Sequence, residues 1–221
     1  MCLNDHVLPK VELIKDLGVI VDSQLLFSSH INEIVSRAFI RSNLIHKCFI
    51  SRNVLNLKRA FIVYVRPIME YASCVWSPHH AGQIKLVESV QRRFSKRIPD
   101  LVSYDYKTRL TELQLDSLEL RRLRQDLVYV YKILFGLVEH CRPINDFFVL
   151  CNTVHNVNTR GHAYKLYPAN SRVDVRKYFF ANRVVNPWNS LPAEPKHFQS
   201  ICSFKRFIRN VNLSDYVSLG F

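Results

Sequence analysis

Apolar side chains recur every three to four residues along most of the first 135 residues, and this spacing restricts the fold more than any other feature. One series covers residues 31–45, a second covers 54–68, and further series cover 84–94 and 120–134. Such a repeat places the apolar residues on one face of a helix, and that face is buried against neighbouring elements. The sequence therefore predicts a mainly α protein built around a helical bundle.

Residues that begin, bend or end helices stand between these series. Asn53, Asp105 and Ser117 are each placed to cap the helix that follows. Pro67 lacks a backbone N–H and is expected to kink the second helix or to restart it. Gly136 occupies the position where a glycine in the left-handed conformation ends a helix. The apolar side of the second helix is expected to include Tyr64.

The segments outside the helical series have different patterns. Residues 11–22 alternate apolar and polar side chains, with a turn or bulge expected at 16–18, which predicts a β-hairpin. A helix is expected to follow, capped by Ser28 or Ser29. Residues 162–167 alternate like a strand, and Ser203 is placed to cap a last helix.

The composition changes near residue 140, where Asn, Pro and Thr become more frequent. We therefore divide the chain into a hairpin at 1–27, a helical domain at 28–140 and a basic, aromatic region of mixed α/β structure at 141–221.

The charge of the chain favours a nucleic-acid partner. The formal net charge is +13, and residues 141–221 carry eleven Lys and Arg against four Asp and Glu. Aromatic residues are interspersed among these cations, and cations with rings suit phosphates and bases. The alternative is a basic surface over an aromatic core that keeps the chain in solution.

Basic side chains on the predicted helix faces are the candidate contacts with phosphate groups. They are Lys85, Arg92, Arg93, Lys96 and Arg97; then Arg121, Arg122 and Arg124 on the outer face of the long helix; and Arg183, Lys205, Arg206 and Arg209. The alternative for each group is a helix face that is only solvated.

Metal and cofactor sites are not predicted. Cys141, Cys151, His155 and His162 lie in one stretch, but only the spacing between Cys151 and His155 suits a structural zinc site. The glycines are too far apart for a phosphate-binding loop. We expect no cofactor in this chain.

A metal-dependent nuclease is a weaker alternative. Asp100, Asp105 and Lys107 spell a P-D…D-x-K pattern, in which two carboxylates hold the metal. Those carboxylates come from adjacent strands, and four intervening residues are too few for that geometry. No serine, cysteine or carboxylate pair carries another catalytic signature.

The sequence predicts an intracellular protein of the nucleus or cytoplasm. The apolar run at 127–138 is interrupted by Lys132 and is shorter than a membrane span, and the first residues do not form a secretory signal. The six cysteines are scattered without a C-x-x-C pair, so we expect reduced thiols.

Several blocks of sequence resemble the reverse transcriptases of LINE-type, non-long-terminal-repeat (jockey-like) retrotransposons. The blocks follow the family's order and include KDLGV at 15–19, YVRPIMEYA at 64–72, VWSP at 75–78, LVESVQRRF at 86–94, LELRRLR at 118–124 and the FF…RVVN.WN segment at 179–189. The resemblance covers about residues 13–208.

The resemblance implies a division of roles along the chain. Residues 13–21 are similar to the hairpin at the edge of the polymerase palm that grips the primer. Residues 28–97 are similar to the thumb, which packs on template–primer duplex, and the remainder to the domain that follows the thumb and helps hold template RNA. The implied partners are RNA and RNA–DNA duplex, together with the palm and fingers of the polymerase.

The sequence departs from a complete polymerase in one respect. The paired aspartates that bind the catalytic metal ions belong before Lys15, and no Asp-Asp pair occurs in the sequence. We expect the chain to bind nucleic acid without polymerising alone. The alternative is a truncated relic of a retroelement without function, whose exposed apolar surfaces would promote aggregation.

Overall fold

A computed structural model describes residues 2–3, 6–7, 11–139, 143–155 and 161–218. Helices dominate, which confirms the mainly α fold. The strands are β1 (Cys2–Leu3), β2 (His6–Val7), β3 (Leu13–Asp16) and β4 (Val19–Asp22). The helices are α1 (Ser28–Cys48), α2 (Val54–Ala60), α3 (Ser73–Trp76), α4 (Ala81–Lys96), α5 (Tyr106–Glu112), α6 (Leu118–Leu134), α7 (Cys151–His155), α8 (Asp174–Lys177), α9 (Phe180–Arg183), α10 (Val185–Asn189) and α11 (Ile201–Asn210). A π-helix forms at Phe61–Val65, and 3₁₀ turns form at Arg66–Met69, Pro99–Leu101, Ile144–Asp146, Pro195–Phe198 and Ser214–Tyr216.

The predicted hairpin is confirmed. Strands β3 and β4 pair antiparallel, with Asp16 opposite Val19. The two residues between the strands, Leu17 and Gly18, both have positive φ, as tight hairpin turns require. The Tyr71 hydroxyl donates a hydrogen bond of 3.0 Å to the Leu17 carbonyl, which attaches the turn to the helical part of the molecule.

Helix α1 begins without a serine cap, so that prediction is wrong. The Asp22 carboxylate accepts hydrogen bonds from the N–H groups of Gln24, Leu26 and Phe27, and Phe27 stands before the helix in the left-handed conformation. Burial acts to raise the pKa of Asp22, but these N–H groups outweigh burial and hold the pKa below its ordinary value.

Three helix caps are confirmed. The Asn53 side chain accepts from the N–H groups of Leu55 and Asn56 at 3.0 and 3.2 Å. Asp105 and Ser117 cap α5 and α6 in the same way. Gly136 has a φ of 64° just after α6, as predicted for a glycine that ends a helix.

Pro67 changes the winding of the second helical segment. The turn before it widens into the π-helix Phe61–Val65, in which the Arg66 N–H bonds to the Phe61 carbonyl. The fully buried residues Leu57, Phe61, Val65 and Met69 therefore recur every four residues. The prediction that Tyr64 is buried is wrong, because the wider turn leaves it 56% exposed.

The buried apolar residues form two clusters. The first extends from Val19 to Leu118 and is built on α1, α2 and α4. The second extends from Leu127 to Leu213 and packs the C-terminal segments on α6. Helix α6 thus contributes to both clusters. The division of the chain into domains at residue 140 stays a prediction.

The C-terminal region differs from its prediction in two places. The strand expected at 162–167 is not formed in the described residues, where Leu166 makes one isolated bridge with Leu150. Ser203 lies inside α11, and Ser200 caps the helix instead by accepting from the Ser203 N–H at 3.1 Å.

Candidate nucleic-acid interface

The basic residues predicted on α4 are all exposed. This set comprises Lys85, Arg92, Arg93, Lys96 and Arg97. The Arg93 guanidinium lies 5.5 Å from the centre of the Phe39 ring, and Arg97 donates a 2.6 Å hydrogen bond to the Asn43 side chain. Because Phe39 and Asn43 belong to α1, these two arginines form a row of cations along one flank of α1.

A second pair of cations flanks the opposite side of α1. Arg37 and Arg41 lie one helical turn apart and line a groove of about 300 Å³ together with Tyr64. Arg37 is 3.7 Å from the half-buried Glu33, while Arg41 makes no ion pair with the described part of the chain. These three residues were not among the predicted contacts, although the four-residue spacing of the arginines was visible in the sequence.

The outer face of α1 lies between the two rows. Ile40 and Leu44 are on this face and are 67% and 50% exposed. We use the name α1 ridge for this surface. It consists of α1 with Arg37 and Arg41 on one flank and Arg93 and Arg97 on the other. A convex helix with cations on both sides can enter a groove of a duplex and meet a phosphate backbone on each side.

The arginines at either end of the predicted α6 group are tied to carboxylates. Arg121 pairs with Glu70 at 2.5 Å, and Arg124 pairs with Asp116 at 2.6 Å. Both arginines are half-buried. Their charge is therefore largely used within the protein, which sequence spacing did not show.

The prediction that Arg122 lies on the outer face of α6 is wrong. Arg122 is 2% exposed, and its guanidinium lies 6.0 Å from the centre of the Trp76 ring. Burial lowers its pKa, and the charge of Glu88 opposes this shift. Phosphate groups in solvent cannot reach this side chain.

Glu88 anchors the buried polar cluster beside Arg122. Its carboxylate accepts from the Tyr106 hydroxyl and, at 2.9 Å, from the Leu118 N–H. Burial raises the pKa of Glu88, although these hydrogen bonds and Arg122 act in the opposite direction. The cluster joins α4, α5 and α6, and we assign it a structural role.

Arg183 is also held inside the protein. It donates to the Asp126 carboxylate at 2.9 and 3.1 Å and to the Cys74 carbonyl at 3.0 Å. Burial raises the pKa of Asp126, and the Arg183 charge opposes that change. The predicted contacts on α11, namely Lys205, Arg206 and Arg209, are instead exposed.

The described residues give little support to the metal-dependent alternatives. No group of three His, Cys, Asp or Glu lies close enough to hold a metal ion within the described ranges. Of the zinc candidates, Cys141 and the His155 side chain lie outside the description, and the His162 ring is buried within 3.0 Å of the Trp188 carbonyl. The nuclease candidates Asp100 and Asp105 lie on a 3₁₀ turn and at a helix cap rather than on strands. Lys107 is exposed in the first turn of α5.

Comparison with known proteins gives similarity to a nematode protein of undescribed function. No family model matches the sequence, and no solved structure matches it. A Caenorhabditis elegans protein described as uncharacterized is 29% identical over an alignment of 135 residues, and the match covers 58% of this chain and 68% of the relative. Among the described residues, no helix is both long and apolar enough to cross a membrane.

Proposed function

We propose that this chain binds RNA or RNA–DNA duplex without sequence preference, as the part of a non-long-terminal-repeat retrotransposon reverse transcriptase that follows the catalytic palm. The observation that carries the proposal is the α1 ridge, because it lies inside the segment that resembles the polymerase thumb. The resemblance supplies the family, and the exposed cations supply a binding surface.

The shape of the ridge suits the proposed ligand. An A-like duplex has a wide, shallow minor groove, which proteins contact through sugars and phosphates rather than base edges. Ile40 and Leu44 present apolar surface at the crest, while the flanking arginines can neutralise phosphates on both sides. Such contacts position a duplex and carry no sequence information.

The residues of this sequence contribute binding rather than phosphoryl transfer in this proposal. The metal ions of the polymerase reaction would be held by palm aspartates that this sequence does not contain. A role in reverse transcription places the protein inside the cell, in the nucleus or cytoplasm.

The N-terminal hairpin supports a second contact, with the palm of the polymerase. Leu13, Ile14 and Leu17 are 52%, 56% and 83% exposed, so apolar surface stands free on β3 and its turn. The hairpin occupies the position that the resemblance assigns to the edge of the palm. Apolar residues grouped in this way commonly mark a protein interface.

Fluorescence anisotropy with two labelled RNA–DNA hybrids of unrelated sequence tests the proposal. We expect the two hybrids to bind with similar affinity, and the affinity to fall steeply with salt, with a slope of about −0.9 for each phosphate contact. A folded monomer that binds neither hybrid would refute the proposal. Aggregation of the purified chain would favour the relic.

A further inference from the structure

We infer that an aromatic cavity and the cationic groove beside it bind a single-stranded stretch of RNA or DNA, with a base in the cavity and phosphates along the groove. This inference rests on the proposed function and adds a second, separate site to it. The two sites would hold duplex on the α1 ridge and an unpaired strand here.

The cavity lies beyond the N-terminal end of α1. It has a volume of about 450 Å³ and is enclosed by the turn before α1, the segment after α3, and helices α8 and α9. Aromatic rings dominate its walls, among them Phe27, Trp76, Tyr178 and Phe179. The size is within the usual range for pockets that bind small organic groups.

Two features of the walls favour a planar ring over an aliphatic side chain. The His79 ring stacks on Tyr178 with 4.0 Å between ring centres and 7° between planes, so this part of the wall is built of parallel rings. Phe179 lines the cavity and is 44% exposed, with the Arg176 guanidinium 5.8 Å from its ring centre, and the exposed part of this ring is available to a ligand. Unpaired bases are recognised by stacking on aromatic side chains of this kind.

One polar group of the cavity, Arg183, is fixed in position. The Arg183 guanidinium lines it while bonded to Asp126 and to the Cys74 carbonyl, so it is already ordered before a ligand binds. Asp174 and His80 also line the cavity and can meet the polar edge of a base. Pre-ordered polar groups reduce the entropy lost on binding.

The cationic groove adjoins the cavity, since Cys74 and Tyr129 line both. Its lining carries five cations and three carboxylates. Each of those carboxylates is paired with an arginine. Three cations of the groove have no ion-pair partner among the residues that the structure describes. They are Lys132, Lys205 and Arg209.

The combination of a stacking surface with an adjoining positive groove is what a single-strand site requires. The cavity opens beside the start of α1, so a strand that leaves a duplex on the α1 ridge would meet it. The occupant that we infer for the site is therefore an unpaired strand continuous with the duplex.

The test uses the full chain and a short single-stranded oligonucleotide carrying 2-aminopurine, prepared once as RNA and once as DNA. We expect fluorescence quenching on binding to the unmodified protein. Phe179→Leu should weaken binding about 5-fold or more, because stacking is lost. Phe179→Trp, which keeps a ring, should retain binding, and Tyr104→Leu, which removes an exposed ring outside the cavity and the groove, is the control.

The groove is tested separately with Lys205→Ala. We expect the salt slope for the single strand to become shallower by about 0.7, the value for one phosphate contact on a single strand. Affinity for a blunt RNA–DNA hybrid should not change in the Phe179 variants, since the hybrid binds the α1 ridge. Binding by only one of the two oligonucleotides identifies which strand the site accepts.

The outcomes separate this inference from the proposed function. Equal single-strand affinity in Phe179→Leu and in the unmodified chain would overturn the inference while hybrid binding persisted. If the unmodified chain binds the single strand but does not bind the hybrid, the duplex role of the α1 ridge is overturned instead. Self-association abolished by Phe179→Leu would show that the cavity receives a second copy, and would also overturn the inference.

Discussion

His46 is a titratable residue buried in the helical core. It is 3% exposed and packs with its ring centre 4.6 Å from that of Phe94. Neither ring nitrogen makes a hydrogen bond of normal geometry with the described residues. Burial, together with the charges of Arg97 and Arg52, lowers the pKa of His46 from 6.5 to about 4.

This pKa predicts how stability responds to pH. The unfolded chain binds a proton at His46 as pH falls through 6.5, whereas the folded chain does not until about 4. The unfolded state therefore binds more protons between these values, and the stability of the folded state decreases as the pH is lowered. Between pH 7.5 and pH 5 we expect the free energy of unfolding to lose about 2 kcal/mol through this residue.

Urea denaturation at both pH values checks this prediction, with His46→Leu as the matched variant. The variant retains the apolar contact with Phe94 and cannot titrate. On lowering the pH, the unmodified chain should lose about 2 kcal/mol more of its free energy of unfolding than the variant does. A difference independent of pH would show that His46 is accessible to protons in the folded state.

The burial of Arg122 shows what sequence patterns can and cannot reveal about single residues. In the structure Arg122 and Asp126 fall in the same four-residue row as the buried Leu118 and Val130. The apolar series at 120–134 predicted Arg122 on the outer face, because only apolar residues were counted as buried. Glu88, whose charge compensates it, lies 34 positions earlier in the chain, and no local pattern joins the two.

Three helix boundaries were predictable because the cap lies next to its helix, although Ser200, which caps α11 in the same way, was missed in favour of Ser203. Asn53, Asp105 and Ser117 each bond to N–H groups two or three residues ahead, so local sequence suffices. The serine cap predicted for α1 was wrong, because Asp22 organises the turn before this helix from five residues away. Likewise, the π-helix before Pro67 changed the spacing of buried residues and exposed Tyr64.

Removing one of these caps provides a test at the scale of the element. Asn53→Ala deletes the acceptor for two N–H groups of α2, and we expect a loss of about 1 kcal/mol of stability. For a chain of this length that corresponds to a fall in Tm of about 2–4 °C. Asn53→Ser retains a cap and should remain close to the unmodified protein in the same calorimetric scan. An unchanged Tm in the alanine variant would mean that the cap contributes nothing.

The distribution of charge over the whole molecule is the feature that only the structure supplies. The net charge of +13 predicted a basic surface, and the α4 and α11 cations are indeed exposed. The three predicted arginines of α6, by contrast, are engaged within the protein: Arg121 and Arg124 form ion pairs, and Arg122 is buried. Glu70, the partner of Arg121, comes from a distant segment, whereas Asp116 lies only eight positions before Arg124. The α1 ridge arises because α1 packs beside α4.

The most direct test of the account compares the salt dependence of hybrid binding in two variants that lose equal charge. One variant replaces Arg37, Arg41, Arg93 and Arg97 on the α1 ridge with alanine. The other replaces Lys107, Arg172, Arg176 and Lys196, which are exposed on other segments. Circular dichroism establishes that both variants are folded.

We predict that the ridge variant loses most of its affinity for an RNA–DNA hybrid. Its salt slope should become shallower by about 3 to 4 units, since four phosphate contacts each contribute about 0.9. The control variant should keep a slope close to that of the unmodified chain. Equal slopes in the two variants would contradict the account, because binding would then depend on total charge and not on the α1 ridge.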